Sequence, residues 1–282
     1  MAKSRSPGRA RAGPKSAPSG VIDLGATGIL MHQLGAAQAD PLSAAQEIIY
    51  DAWGAAHSRK RIALAKRALK ISPLCADAYL LLAQETARNL NETIDYYRQG
   101  VAAGEKALGK SCFRDDVGHF WGILETRPYM RVRQGLAQAL WEKGLHEDAV
   151  AHYRDMLRLN PDDNQGIRYL LLDGLLFLGR DDEAADLIKT YQQDGSAAWS
   201  WSRALLAFRR IGDCAESRNA LARARTGNRH VAPLLLGDSK MPRRLPDYIS
   251  WGGKDEAVAY VQGAAPAWVA ATGALNWIRA QQ

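Results

Sequence analysis

Gly104-Glu105-Lys106-Ala107-Leu108-Gly109-Lys110-Ser111 satisfies G-x-x-x-x-G-K-[ST], the spacing with which backbone N–H groups and a lysine cradle nucleotide phosphates. That chemistry needs a strand before the glycine loop and a helix after it, because the helix N-terminus adds partial positive charge. Here the residues before Gly104 have helical spacing, Glu-Lys-Ala-Leu continues the helix, and Gly109 stands where a helix stops. The reading is a helix end. His146, Glu147 and His152 raise zinc hydrolysis, but that motif puts its second histidine four residues on, where this chain has Val150. Glu147 and Asp148 instead suit the first turn of a helix, facing its positive end. Asp115, Asp116, His119 and Glu125, near Phe120 and Trp121, have the residue types of an acid–base or metal cluster. Their spacing matches no recognised geometry, so they read as solvated loop groups. Cys75, Cys112 and Cys214 are far apart and odd in number, which implies free thiols. No catalytic residue, metal or cofactor is expected.

One polar group remains. In Asp162–Arg168, Asp163 or Asn164 can cap the following helix, while Gln165 and Arg168 open it close to Arg131 and Arg133. Such a group suits hydrogen bonding between neighbouring helices, or contact with a peptide carboxylate or acidic side chain. Trp53, Trp141, Trp199, Trp201, Trp268 and Trp277 lie in helical segments and read as core, although an exposed one would anchor an interface.

The elements that position these residues follow from composition and period. Of 282 residues, 47 are Ala and 33 Leu, against 9 Val, 13 Ile and 7 Thr, which favours an all-α chain. Net charge is +7, but Lys3, Arg5, Arg9, Arg11 and Lys15 supply five of those charges with no acidic residue among them. Residues 1–20 therefore read as a basic disordered tail and the rest as nearly neutral. The alternative mode of action is association with nucleic acid through the basic tail and basic helix faces; charge alone would make binding by the tail weak and salt-sensitive. No stretch of 18 apolar residues occurs, so no membrane span or secretory signal is read, and a cytoplasmic protein is expected.

Residues 21–41 read as a Gly-punctuated lead-in. From Pro41 apolar residues recur every three or four positions in segments separated by Gly, Pro or Asn. Aligning Gly144, Gly179 and Gly212 places Ala149, Ala184 and Ser217 five residues later, Tyr153, Ile188 and Leu221 nine, and Met156, Tyr191 and Ala224 twelve. Each glycine is preceded by a matching apolar set: Leu136, Ala137 and Leu140; Leu171, Leu172 and Leu175; Trp201, Leu205 and Phe208. This register resembles the tetratricopeptide repeat, a helix-turn-helix unit of 34 residues. The organisation read from it is repeats over 42–227, interrupted by an insertion at 109–126, and a C-terminal helical cap over 228–282. The cap would hold a short helix, a loop through Pro242 and Pro246, and closing helices containing Ala257 to Val261 and Trp268 to Ile278.

In such a solenoid the first helix of each pair lines the inner curve, because each pair buries an apolar face only by stacking on its neighbours. The inner positions by this register are Arg131, Gln134, Gln138, Tyr169, Asp173 and Arg209, with Arg168 at a helix start. They are the candidate contacts for a protein or peptide partner, and a non-enzymatic adaptor is the expected role.

Ile71-Ser72-Pro73-Leu74-Cys75-Ala76-Asp77-Ala78-Tyr79 followed by Leu81-Leu82-Ala83 resembles a stretch of the suppression-of-tumorigenicity-seven family. So do Asn228-Arg229-His230-Val231, Leu235-Leu236, Leu245-Pro246, Asp255-Glu256-Ala257, Ala259-Tyr260, Trp268 and Gly273-Ala274-Leu275-Asn276, in that order. The resemblance covers about 60 to 280 and implies a tetratricopeptide-like, non-enzymatic protein with no catalytic residues to carry over. Animal members have hydrophobic, membrane-associated segments near the N-terminus. This sequence has no such stretch, and Arg127–Arg131 and Asn160–Arg168 look more like soluble bacterial repeat proteins.

Overall fold

The computed structural model describes residues 40–244 and 248–281. The chain divides into two units, Met1–Pro41 and Leu42–Gln282, and the helical stack belongs to the second. The basic tail and nearly all of the lead-in lie outside the described residues, as does Pro246 of the loop expected in the cap.

Among the described residues thirteen α-helices follow one another and no strand occurs. Five pairs form the repeats: α1 (Pro41–Trp53) with α2 (Ser58–Ile71), α3 (Ala76–Thr86) with α4 (Leu90–Asp115), α5 (Arg127–Glu142) with α6 (His146–Leu159), α7 (Ile167–Phe177) with α8 (Asp181–Thr190), and α9 (Ala197–Ile211) with α10 (Ala215–Gly227). A short α11 (Val231–Leu235), a long α12 (Lys254–Ala270) and α13 (Ala274–Ala280) complete the chain. From α3 to α10 each helix packs on the next, the stacking that makes a helical solenoid.

The aligned glycines explain the turns within the pairs. Gly144, Gly179 and Gly212 take φ of 84°, 70° and 69°, a left-handed conformation that ends a helix without the Cβ clash other residues meet. Five residues on, Ala149, Ala184 and Ser217 are fully buried, so the second helix approaches its partner closely at that point. One core runs from α3 to α13, and a smaller cluster joins Ile48 and Ile49 of α1, Ala65 and Ala68 of α2, and Leu81 and Leu82 of α3.

Two departures from strict repetition matter for the site. Gly109 (φ 71°) breaks α4, and the chain then returns to α6, where Gly118 and Phe120 donate their N–H groups to the Leu159 carbonyl at 3.0 and 3.2 Å. Phe120 is buried against Phe113 and Tyr129, so the insertion is pinned at the edge of the stack where α6 ends. At the C-terminus α12 ends at Ala270, where Ala271 turns extended, and Gly273 (φ 81°) is the N-cap of α13, so Trp268 closes α12 instead of opening a helix that continues to Ile278.

Candidate functional site

The candidate residues lie on the first helices α5, α7 and α9, but they do not form one group. At the N-terminal end Arg131 of α5 donates from Nε to Asp77 Oδ1 at 3.0 Å and from Nη2 to Oδ2, and Gln46 of α1 donates to the same Oδ2 at 2.8 Å. Asp77 is fully buried, so this ion pair ties three successive first helices together. The guanidinium of Arg131 also lies 5.1 Å from the ring centre of Trp53, itself partly exposed beside Tyr50. Gln134 accepts from Gln165 Nε2 at 3.0 Å, and Gln138 is exposed.

A second group forms where α7 begins. The N-cap position is Gly166, and Asp163, three residues before it, satisfies the helix start: its carboxylate accepts the N–H groups of Ile167 and Arg168 at 2.7 and 2.9 Å. Arg168 donates to Asp163 Oδ2 at 2.9 Å and to Asp194 Oδ2 at 2.8 Å, and Tyr169 donates its hydroxyl to the same Asp194 oxygen at 2.8 Å. Tyr169, Tyr191 and Trp199 surround the guanidinium with ring centres 4.4, 5.5 and 5.8 Å away. Burial pushes the Tyr169 hydroxyl up to about 12 and raises the Asp163 carboxyl. A cleft of about 410 Å³ opens beside Arg168, lined by Asp162, Thr190, Tyr191, Asp194 and the exposed Trp251.

The remaining two candidates lie beneath α12, which packs on α7 and α9 together. Arg209 donates to the carbonyls of Leu176 and Ala267 at 2.9 and 2.7 Å and to Asp181 Oδ1 at 2.9 Å. Asp173 faces Gly263 of α12, where a Cβ would run into the carboxylate. The start of α12 is anchored by Glu256, which accepts from Ala197 N–H, Asn228 Nδ2 and Gly252 N–H at 2.9, 2.9 and 2.8 Å. Its end is anchored by Trp268, whose indole donates to Tyr260 at 2.8 Å and stands edge-on to Trp201. The C-terminal half of the first-helix face is therefore occupied by the protein's own helix.

Arg131, Arg133, Gln165 and Arg168 do not share a pocket. Arg133 turns the other way, donating to Asp155, to Tyr129 Oη at 2.7 Å and to His152 Nδ1 at 3.2 Å. It floors a cleft of about 660 Å³ with Lys106 and Lys110 of the phosphate-loop-like segment on its walls. That segment is helical through Leu108, and Gly104 packs closely on Tyr129, from which a Cβ would stand 3.1 Å. Its glycines thus pack and end a helix. Among the described residues no three His, Cys, Asp or Glu side chains converge as a metal-binding group. Cys75 is buried, Cys112 and Cys214 half-buried, and all three are free. No helix among the described residues is long and apolar enough to cross a membrane.

Asp77, Asp194, Asn228 and Glu256 belong to no chemical motif in the sequence, yet they organise this face more than several of the residues expected there. Asp77, Asn228 and Glu256 do fall inside the stretches that carry the family resemblance, the one sequence signal pointing to them.

Residues 30–281 match the family model described as ST7 protein. A chicken (Gallus gallus) suppressor of tumorigenicity 7 protein-like is 29% identical over 259 residues, covering 84% of this chain and 46% of that protein. Its human (Homo sapiens) counterpart is 27% identical over 262 residues, covering 85% and 45%. A Caenorhabditis elegans ST7 homolog is 26% identical over 272 residues, covering 82% and 49%. Among solved structures, YrrB, a TPR protein with an unusual peptide-binding site, aligns with TM-score 0.44 and 16% identity over 60% of this chain and 77% of that one.

Proposed function

From the premise that this chain belongs to the ST7 protein family and spans about half the length of the curated relatives it matches, we propose that it is a helical-repeat scaffold whose first-helix face holds a protein segment without covalent chemistry. The observation that carries the reading is the division of that face. Over α7 and α9 the polar side chains are engaged and α12 lies on top, whereas over α1, α3 and α5 Tyr50, Trp53 and Gln138 remain exposed. The partner segment accordingly lies on the N-terminal half.

The side chains there suit a polypeptide. Carboxamides such as those of Gln134 and Gln138 both donate and accept, as the main chain of an extended segment requires. Trp53 and Tyr50 supply rigid apolar area with few rotatable bonds, the chemistry of interface anchors. Arg131 is preset by Asp77 and stacks on Trp53, so it presents a fixed edge to the partner.

The test is photo-crosslinking in the full chain, with a benzophenone amino acid at Gln138 or Tyr50 and, as control, at Asp186 on α8. Crosslinks to a polypeptide at the first two positions, lost with Trp53→Ala, are expected. Equal labelling at Asp186, or labelling indifferent to Trp53→Ala, would remove this face from consideration.

A further inference from the structure

We propose that the outer side of α2 is a binding surface for the phosphate backbone of duplex DNA, engaged through charge and spacing and without regard to base sequence. It lies on a second helix, so it stands or falls apart from the first-helix face proposed for a protein segment.

The sequence of α2, Ser-Arg-Lys-Arg-Ile-Ala-Leu-Ala-Lys-Arg-Ala-Leu-Lys-Ile, holds six cations and no acidic residue. At 3.6 residues per turn Arg59, Lys60, Lys66, Arg67 and Lys70 fall within about 120° of the helix circumference. All five are exposed. The apolar side is spent inward, where Ala65 and Ala68 are fully buried and Ile62 and Leu69 pack beside them. Arg61, the sixth cation, falls towards that inner side and is neutralised there: its Nε donates to Glu85 Oε1 at 2.6 Å and its Nη1 to the Ala55 carbonyl at 3.0 Å. Among the described residues none of the outer five side chains has an ion pair or hydrogen bond. On α6, the second helix two pairs further on, Arg154 pairs with Glu183 and Arg158 with Asp155. Lys70 also stands one turn from both Lys66 and Arg67, spacings at which like charges repel each other. A row of anions relieves that repulsion along the whole stripe.

The chemistry of the stripe selects among anions. Within its arc the one apolar residue is Ala63, whereas protein interfaces are built around an apolar centre from which lysine is depleted. It holds no aromatic ring on which the bases of a single strand would stack. The apolar side of α2 is already part of the repeat core, so the helix has no second face to press into lipid. Phosphates of a duplex need none of these, because neutralising them releases counterions and that release drives binding.

The spacing fits as well. Arg59 and Lys60 form one cluster, and Lys66, Arg67 and Lys70 form a second about 10 Å further along the axis at 1.5 Å per residue. The major groove of B-form DNA is about 12 Å wide, so the two clusters can meet phosphates on both of its lips. Ala63 lies between them and is too small to hold the helix away.

The experiment is fluorescence anisotropy of a short labelled DNA duplex titrated with the full chain between about 50 and about 200 mM salt. Each phosphate contact contributes about 0.9 to the slope of log K against log salt, so Arg59→Gln with Lys60→Gln is expected to lower the slope by about 2. Arg59→Gln, Lys60→Gln, Lys66→Gln, Arg67→Gln and Lys70→Gln together should lower it by about 4 to 5. Glutamine is a good helix former and all five positions are exposed, so the fold is expected to survive, with helix content by circular dichroism as the check. The basic residues among 1–20 are present in every variant, so a difference in slope belongs to α2. Arg59→Lys with Arg67→Lys keeps the charge and should keep the slope. Lys106→Gln with Lys110→Gln removes the same charge elsewhere as the first pair and should also leave the slope unchanged. A slope untouched by the five substitutions would overturn the proposal, and so would an equal fall with Lys106→Gln and Lys110→Gln, since net charge would then be the cause. Adsorption to phosphatidylserine vesicles, or competition by polyglutamate, that depends on the stripe while duplex binding does not would overturn it too, in favour of lipid or of an acidic protein.

Discussion

Asn228 Nδ2 donates to Glu256 Oε2 at 2.9 Å, joining the loop after the last repeat to the first turn of the helix that covers the repeats. The same amide nitrogen donates to the Gly253 carbonyl at 2.9 Å, and Asn228 Oδ1 accepts the His230 N–H at 3.0 Å. Asn228→Ala removes all three bonds and leaves buried Glu256 one donor short, a loss of about 1–3 kcal/mol. Hydrogen exchange should locate the damage: faster opening of α11 and α12, with α1 to α4 unchanged. Uniform loss of protection along the whole chain would count against a local anchor.

Arg131 and Asp77 carry the corresponding load at the other end. Arg131→Ala leaves a fully buried carboxylate with Gln46 as its remaining partner, and such truncations cost about 3–5 kcal/mol. Asp77→Ala combined with Arg131→Ala should recover a large part of that loss in urea unfolding, because the unpaired charge is gone. Gln138→Ala, on the same helix but exposed, should stay within about 0.5 kcal/mol of the parent. If Gln138→Ala were as damaging as Arg131→Ala, the exposed carboxamide would have a structural role.

What could be read from the sequence divides along the range of the interactions. Gly144, Gly179 and Gly212 were legible because a left-handed turn and the small residue five positions later are local requirements, repeated at a fixed period. The inner register followed from the same arithmetic and put Arg131, Gln134, Gln138, Tyr169, Asp173 and Arg209 on the first helices. Their partners were not legible. Asp77 lies 54 residues before Arg131, and no spacing rule links them. The seat of α12 was hidden for the same reason: it depends on Glu256 reaching Ala197 and on Gly263 fitting Asp173, contacts between segments far apart in the chain. A terminal helix read only as a cap leaves open which surface it covers.

His152 provides a test in acid. Arg133 donates to its Nδ1 at 3.2 Å, and burial together with that guanidinium pushes its pKa below the usual 6.5. The folded chain favours the neutral ring. Its contribution is complete above about pH 6.5 and declines as pH falls below that value, because the unfolded chain then binds the extra proton. His152→Gln should lose less stability than the parent between pH 7 and pH 5 in urea titrations. NMR titration should place the ring midpoint below 6.5. A midpoint above 6.5 would mean that Asp148 and Asp155 dominate the ring instead.

The phosphate-loop-like segment separates a nucleotide-binding protein from a scaffold. In a true loop Gly104 and Gly109 would bring backbone N–H groups to a phosphate, and substituting either would abolish binding while Lys110→Ala weakened it. In this fold Gly104 admits the Tyr129 side chain, and Gly109 turns the chain at φ 71° with no side chain or backbone near the position of a Cβ. Gly104→Ala is therefore expected to lower stability by overpacking, by about 1–3 kcal/mol. Gly109→Ala should cost about 1–2 kcal/mol through backbone strain alone. Calorimetric titration with ATP should give the same absent or salt-screened signal for the parent, both glycine variants and Lys110→Ala. The cleft lined by Lys106, Lys110 and Arg133 is lined by the carboxylates Glu105 and Asp155 as well. Saturable ATP binding that Lys110→Ala abolishes, with the fold intact, would assign this segment to nucleotide chemistry.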